Sequence, residues 1–379
     1  MVSVTHFPVD NGDMTLIELD SGKKILIDIN IREAADNPDD ATPDVARMLR
    51  ERLNKDTKTG HHYVDAFLLS HPDEDHCRGL RRHFHLGAPE DHPGGDRILI
   101  REMWSSPMVF RRASTRHTLC QDAKAWNREA KRRVQHFRDD KPMESGNRIL
   151  VLGEDENGKT NDLGPILVKT DQEFRSIDGL RDNTFSARLL APMPISEDED
   201  EEELLSKNNS SVVLRFALAA EGNADACCYL TGGDAEVAIW ERLWTRHQNR
   251  PHWLEYDLLL TPHHCSWHSL SYDSWSDLGE DAEVSQDARN ALSQTRAGAY
   301  LVSSSKEIKD DDNDPPCIRA KREYQAIANE ASGMFKRVAG PQPSEYLISR
   351  NGPRLQTAAA AIGAAVGSGA VGRQPLPHG

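Results

Sequence analysis

Four apolar runs in this chain each stop at residues with reactive side chains, and that shared ending constrains the fold more than any single motif. The run "KKILID" ends on Asp28, "HHYVDAFLLS" leads into His71 to His76, "ACCYLTGG" into Asp234, and "YDLLLTP" into His263 and His264. Continuous apolar runs of this length, bounded by polar residues, are the pattern of strands covered on both faces. "MTLIELD" joined to "KKILIDI" through Ser21-Gly22 reads as a hairpin. Further strands are expected at "ILIREMWSS", "SSVVLRFAL", "GAYLVSSS" and "SEYLISR". Helical spacing marks "TLCQDAKAWNREAKRRVQHFRD", "AEVAIWERLWTRH" and "IRAKREYQAIANEA", and a helix is expected to begin at "HCRGLRRHF". The acidic run 196–209 and the segment 306–316, "KEIKDDDNDPP", read as exposed loops. With 379 residues, 37% of them hydrophobic, the chain is long enough for a sizeable α/β core.

Histidine and carboxylate side chains gathered at strand ends are the donor set of a hydrolytic metal centre, because they leave a coordination position open for water. In "HPDEDH", His71 and Asp73 can point to one ion while Asp75 and His76 reach a second. The competing role for Asp75 is to cap the following helix. Asp234 is suited to bridge two ions, against a capping role ahead of "AEVAIWERL". His263 and His264 are adjacent, so one of them facing the ions leaves the other to orient a ligand or the substrate.

Together, "NGDMTLIELDSGKKILIDINI", "LLSHPDEDH", "NNSSVVLRF", "YLTGGDAE" and "DLLLTPHHCSWHS" resemble, in order and spacing, the metallo-β-lactamase-fold hydrolases. The chain looks most like the soluble hydrolase domain of ComEC-type competence proteins, which share HxDxDH where the wider superfamily has HxHxDH. The resemblance implies an αββα sandwich over residues 1–355, expanded between about 85 and 205, with an Ala/Gly-rich tail at 356–379 that is expected to be disordered. It implies metal ligands at His71, Asp73, Asp75, His76, Asp234 and His263, with His264 as the alternate to His263. Asp75 and His264 are the expected catalytic residues, and Asp28 and Asn209 support the site from behind the ligands. The chain departs from the pattern in three places. The histidine that the family places between the motif and the bridging aspartate is not evident, and "NNSS" near that position offers Asn208 or Asn209; "LTGGD" carries one glycine more than usual; and "DNDPP", with Asp312, Asn313 and Asp314, stands where a Gly-His-Pro loop is common. The implied cofactor is a pair of divalent ions. Asp73 in place of a histidine favours Mn²⁺ or Mg²⁺, while the remaining histidines suit Zn²⁺, which leaves Mn²⁺ or Zn²⁺ as the expectation.

The formal charge of −15, from 61 acidic and 46 basic residues, argues against indiscriminate binding to nucleic acid. Residues 111–138 are nevertheless locally basic, either as a solvated helix face or as a surface that steers a polyanion. The six cysteines show no CxxC spacing and read as reduced thiols, which excludes a zinc ribbon. The first residues carry neither a basic start nor a long apolar core, so a cytoplasmic, membrane-free protein is expected. Ser303 to Ser305 lack the context of a nucleophile elbow, and Trp267 is the candidate for base stacking. Three functions follow as expectations. The first is hydrolysis of a phosphodiester in a nucleic acid or nucleotide. The second is hydrolysis of a carboxylic ester, lactone, thioester or amide. The third is a catalytically degenerate component of a multi-protein assembly, docking through the 85–205 region or the tail.

Overall fold

The computed structural model describes residues 1–112 and 118–356. The expected tail and part of the basic segment, including Arg116, therefore lie outside the described residues. Two strands, β1 (Val2–His6) and β2 (Thr15–Glu18), lead into β3 (Lys24–Ile27), and β2 and β3 form the expected hairpin. Its turn closes on Gly22, at φ +81°, a left-handed conformation that glycine adopts without steric cost. The apolar run at 61–70 becomes β4 (His62–Leu68), paired in parallel with β3 on one side and with β5 (Ile98–Ser105) on the other. A strand with parallel neighbours on both sides sits deep in its sheet, which is why it reads as a continuous apolar run.

The chain continues through α1 (Gln121–Arg138), β6 (Arg148–Leu152), β7 (Phe185–Ala191), β8 (Val213–Ala220), β9 (Asn223–Thr231) and α2 (Val237–His247). It closes with β10 (Tyr256–Leu260), β11 (Thr295–Ser303), α3 (Ile318–Glu330), β12 (Met334–Arg337) and β13 (Ser344–Ser349). One sheet has the order β6-β5-β4-β3-β2-β1-β13, and the other β7-β8-β9-β10-β11-β12, each with short strands at its edges. Residues alternate along a strand, so each sheet has two faces to bury. The inner faces meet in one core that joins Ile25, Ile27, Leu68 and Trp104 of the first sheet to Leu214, Phe216, Tyr229 and Leu258 of the second. The outer face of the first sheet packs Leu26, Phe67 and Met103 against Leu49 and Trp126, and that of the second packs Leu230, Leu259 and Leu301 against Trp240, Leu243 and Ile327. The result is a four-layer α/β sandwich with helices outside both sheets.

Several local expectations give way. Within the 85–205 stretch, β5 and β6 join one sheet, β7 joins the other, and α1 lies in the outer layer. The acidic run contains a helix, Glu199–Leu204, because Asp198 caps it by accepting from the Asp200 and Glu201 N–H groups, and its carboxylates face the positive end of the helix dipole. The expected helix after the HxDxDH motif breaks into Glu74–Cys77 and Leu80–His83 at Gly79, where a Cβ would come within 2.8 Å of Ile31 Cβ. Among the described residues no helix is long and apolar enough to cross a membrane.

Glu102 on β5 is buried beside this core, accepting hydrogen bonds from Trp104 Nε1 (3.0 Å) and the Asp178 N–H (3.1 Å). Burial pushes its carboxyl up, the two hydrogen bonds offset only part of that, and the pKa stands at about 7. The folded state thus holds a proton that the unfolded chain releases near the ordinary glutamate value. Stability from this source is present below about pH 4.5 and is lost as pH rises through about 7, by at most about 3 kcal/mol. Glu102→Gln is expected to remove that loss, so that its Tm rises relative to wild type between pH 5.5 and pH 8; parallel Tm profiles would contradict it.

Candidate metal centre

The strand ends that the sequence singles out converge at one edge of the sandwich. Asp28 follows β3 with φ 53°, a left-handed conformation costly for a non-glycine residue and held here by its contacts. Its Oδ1 accepts from the Ser70 N–H (2.7 Å), and its Oδ2 faces both Ser70 Oγ and His76 Nδ1, the latter at 3.0 Å. Ser70 also bonds through its carbonyl to the Val212 N–H, 2.9 Å away, which ties the end of β4 to the start of β8 across the sandwich. Asp73 stands at the N-cap position of helix Glu74–Cys77, and Asp75 lies inside its first turn rather than at the cap.

From the second sheet, Asp234 leaves β9 through Gly232-Gly233. A Cβ on Gly233 would meet Ser70 Oγ at 2.8 Å, and the Gly233 carbonyl accepts from the His263 N–H at 2.9 Å. The extra glycine therefore lets this loop pass closely between the two neighbouring strand ends. Asp234 Oδ1 lies 3.0 Å from His76 Nε2 and 3.5 Å from His264 Nε2. His264 Nε2 is also 3.3 Å from Asp75 Oδ2, and His71 Nε2 is 3.3 Å from Asp73 Oδ2.

Asp13 belongs to the same cluster and was missed by sequence reasoning. It is buried, its Oδ1 lies 3.3 Å from His264 Nδ1, and the only sign of it in the sequence is the Asn-Gly-Asp turn between β1 and β2. Gly12, at φ +143°, brings its N–H to 3.2 Å from the same Nδ1, where a Cβ would run into Asn30 and the Asp75 carbonyl. Asp13 and the Gly12 N–H thus both meet His264 at Nδ1, while Nε2 is aimed at Asp75 and Asp234. Ser211 was also missed. Its Oγ accepts from the Asp234 N–H (3.2 Å) and lies 3.3 Å from His71 Nδ1, so it links the two.

The donors fit a divalent cation. His71 Nε2 and His264 Nε2 are buried without a hydrogen-bond partner among the described residues, although carboxylates surround them. An ion about 2.0–2.2 Å from its nitrogen and oxygen ligands keeps neighbouring ligand atoms about 3.3–3.6 Å apart in a tetrahedron. The spacings of 3.3 and 3.5 Å around His264 Nε2 match such edges, and Asp75, His76 and His264 can together offer three atoms to one ion. Asp13, Asp28 and His76 form a second close group. In that group Asp28 is already engaged by Ser70 and by His76 Nδ1, and so it buttresses an imidazole whose other nitrogen faces Asp234.

Charge follows the same division. Burial disfavours a charged His76, but Asp234 and Asp28 outweigh it and hold its pKa well above the usual histidine range. Burial likewise works against His264, yet Asp234, Asp13 and Asp75 lift it to about 10. Burial raises Asp75, but the His264 imidazole beside it and the charge on His76 bring it down to about 2. Burial is outweighed at Asp234 too, whose carboxyl the three histidines His76, His263 and His264 hold well below the usual range.

Other expectations fall elsewhere. His264, expected as the catalytic group, lies inside the acidic cluster with its side chain 1% exposed. His263, expected as the ligand, sits at the edge with its side chain 15% exposed, 4.0 Å from Asp234 Oδ2 and 3.8 Å from Glu236 Oε1. Asn209 spends both ends on backbone, donating to the Leu204 carbonyl and accepting from the Glu236 N–H, and Asn208 bonds Glu236 Oε1. Asn209 thus holds the loop after Asp234 and approaches no ligand atom directly. Asp314 accepts from the Trp267 N–H, which anchors its loop, and Trp267 is fully buried, which rules it out as a stacking surface for a base. His61 and His85 instead meet His92 away from the site, with ring centroids 3.8 and 4.8 Å from it.

No family model matches the chain, and no curated protein matches it. Among solved structures it is similar to unliganded yeast PDE1, with a TM-score of 0.43 and 10% identity over 90% of this chain and 99% of that one. A likeness at that level carries no conclusion about activity.

Ligation through Nε2 of His76 and His264 requires loss of the protons that the carboxylates hold there. Binding of Zn²⁺ near pH 7 is therefore expected to release protons, read as a calorimetric enthalpy that depends on buffer ionisation, with affinity rising from pH 6 to pH 8. Asp28→Asn is expected to weaken that affinity by about 10–100-fold. Binding without proton release, or an unchanged affinity in the variant, would contradict the assignment.

Proposed function

We propose that the chain is a metallo-β-lactamase-fold hydrolase of the ComEC-like branch that uses a pair of divalent ions to hydrolyse a phosphodiester. The observation that carries this reading is the set of orphaned imidazole nitrogens facing carboxylates at tetrahedral spacing. His71 and Asp73 would hold one ion, Asp75 and His264 the other, with Asp234 and His76 as further donors beside His264 and Asp75. Divalent ions bound there supply Lewis acidity, which activates a water molecule and withdraws charge from a phosphoryl oxygen.

The protein's own groups divide the remaining work. Asp28 fixes the ring of His76, Asp13 lies against Nδ1 of His264, and Ser211 steadies both His71 and the backbone of Asp234. Asp73 and Asp75 are about one-third exposed, so the open side of the cluster is where a substrate enters. We assign proton delivery to the leaving oxygen to His263, whose Nδ1 faces Glu236 from the solvent edge.

Within the phosphodiester class we favour a small substrate over a long nucleic acid. Arg111 is paired with Asp155, Arg112 with Glu202, Arg132 and Arg133 with Glu129, and Arg138 with Asp162. Much of the basic segment is thus spent on internal ion pairs, leaving less charge to counter the acidic surface around a polyanion.

Hydrolysis of bis(p-nitrophenyl) phosphate with Mn²⁺ or Zn²⁺ tests the proposal. Turnover is expected to need the ion and to fall on the order of 100-fold or more in Asp75→Asn, with KM changing less than kcat. Metal-dependent turnover of p-nitrophenyl acetate alone would favour the carboxylic-ester reading. Fewer than about one ion bound per chain after reconstitution would instead favour a degenerate binding component.

A further inference from the structure

We propose that Cys77 and Cys120 form an oxidative modification site, in which a peroxide converts the two thiols to a disulfide that ties the start of α1 to the turn carrying His76. Their sulfurs lie 3.5 Å apart although the residues are 43 positions apart in the chain. Closing a disulfide needs the sulfurs about 2.05 Å apart, a small further approach. The two segments are already held in register, since Asp122 at the start of α1 accepts from the Gly79 N–H (2.9 Å) and from Arg81 Nε (2.8 Å). This inference goes beyond the hydrolase reading and does not depend on it.

The two thiols differ in a way that orders the chemistry. Cys120 is half-buried at the N-cap of the 18-residue helix α1, and its sulfur accepts from the Ala123 N–H at 3.3 Å. Cys77 is buried, and its single thiol proton is within reach of two acceptors, the Asp73 carbonyl at 3.1 Å and the Cys120 sulfur at 3.5 Å. A hydrogen bond from the Cys77 thiol, opposed by burial and aided by the Ala123 and Asp122 N–H groups, brings the Cys120 thiol down to about 6. Such a position, at a helix N-terminus and open to solvent, is where a reactive thiolate is expected. The Cys120 thiolate attacks one oxygen of hydrogen peroxide, breaking the O–O bond, forming a sulfenic acid and releasing hydroxide. The Cys77 sulfur then attacks the Cys120 sulfur, and the S–O bond breaks as the S–S bond forms. The thiol protons leave with the two displaced oxygens, so that two thiols and one peroxide give one disulfide and two waters. Disulfide formation also removes the donor to the Asp73 carbonyl, so oxidation acts on the turn that carries the expected ligands.

The full chain, treated with hydrogen peroxide, then denatured, alkylated and digested without reductant, tests this directly. The expected result is a Cys77–Cys120 cross-linked peptide lacking two hydrogens, reversed by dithiothreitol, and a higher Tm in the oxidised protein because the unfolded chain is constrained. Cys120→Ser keeps a good helix cap and is expected to give neither the linked peptide nor the Tm rise on peroxide treatment. Conversion of Cys120 to sulfinic or sulfonic acid without the linked peptide would overturn the proposal, as would linkage found only among the other four cysteines.

Discussion

The bridge that the remaining architecture depends on is His76, gripped at Nδ1 by Asp28 and at Nε2 by Asp234, each 3.0 Å away. Asp28 ends a strand of one sheet and Asp234 ends a strand of the other, so a single buried imidazole links the two layers at the edge where their strands stop. Charges removed from water in this way cost several kcal/mol each unless they satisfy one another. The protein meets that cost with a chain of donors in which the Ser70 amide and hydroxyl serve Asp28 and the Ser211 hydroxyl serves Asp234. A cluster this acidic and this buried is a poor hydrophobic plug. Its cost is easier to understand as the residue of a function than as a contribution to stability.

The layered α/β architecture was legible because buried strands have a strong signature. The runs at Lys24–Ile27, His62–Leu68 and Tyr256–Leu260 are each covered on two faces by helix and sheet, and their composition reports it. The 85–205 region was harder to read. Its contributions to the sheets include the two-residue strands Leu167–Val168 and Glu173–Phe174, too short for any periodicity, and its core helix carries buried Arg133 and Glu129 that compensate each other rather than reading as apolar positions. In the site, residues at strand ends were legible by position. Asp13 and Ser211 were not, since they reach the cluster from a turn and from the segment before a strand, and such approach is set by tertiary contacts that no local pattern encodes.

The pair His263-His264 shows what decides between neighbours when sequence cannot. Residues 263, 264 and 265 all have positive φ, at 49°, 52° and 70°. The run is held by the Gly233 carbonyl on the His263 N–H, by the Gly12 N–H on His264 Nδ1, and by the Cys265 carbonyl accepting from the Cys317 N–H. Three left-handed residues in succession swing the second imidazole inward and leave the first at the rim. The last of them, Cys265, holds a left-handed φ that a glycine would adopt without steric cost.

Left-handed backbone at Asp28 as well as at residues 263–265 means that both sheets contribute strained residues to the same few ångströms. Strain of this kind costs of order 1–3 kcal/mol per residue and persists only where surrounding contacts over-determine the conformation. Those contacts include the loop after β11, where Ser304 Oγ bonds the Gly12 carbonyl (2.6 Å), and Asn11, which bonds the Pro315 carbonyl and the Lys306 N–H (2.9 Å each). The turn at 10–13 is thereby clamped between the first sheet and the segment that follows the second, and it carries Gly12 and Asp13 against His264. The position of one imidazole in the cluster thus rests on segments about 300 residues apart in the chain, as the separation of 304 positions between Asn11 and Pro315 illustrates. Geometry assembled from such distant parts tolerates substitution far from the site only when the clamp survives, so changes at Asn11 or Ser304 belong to the site as much as those at Asp75.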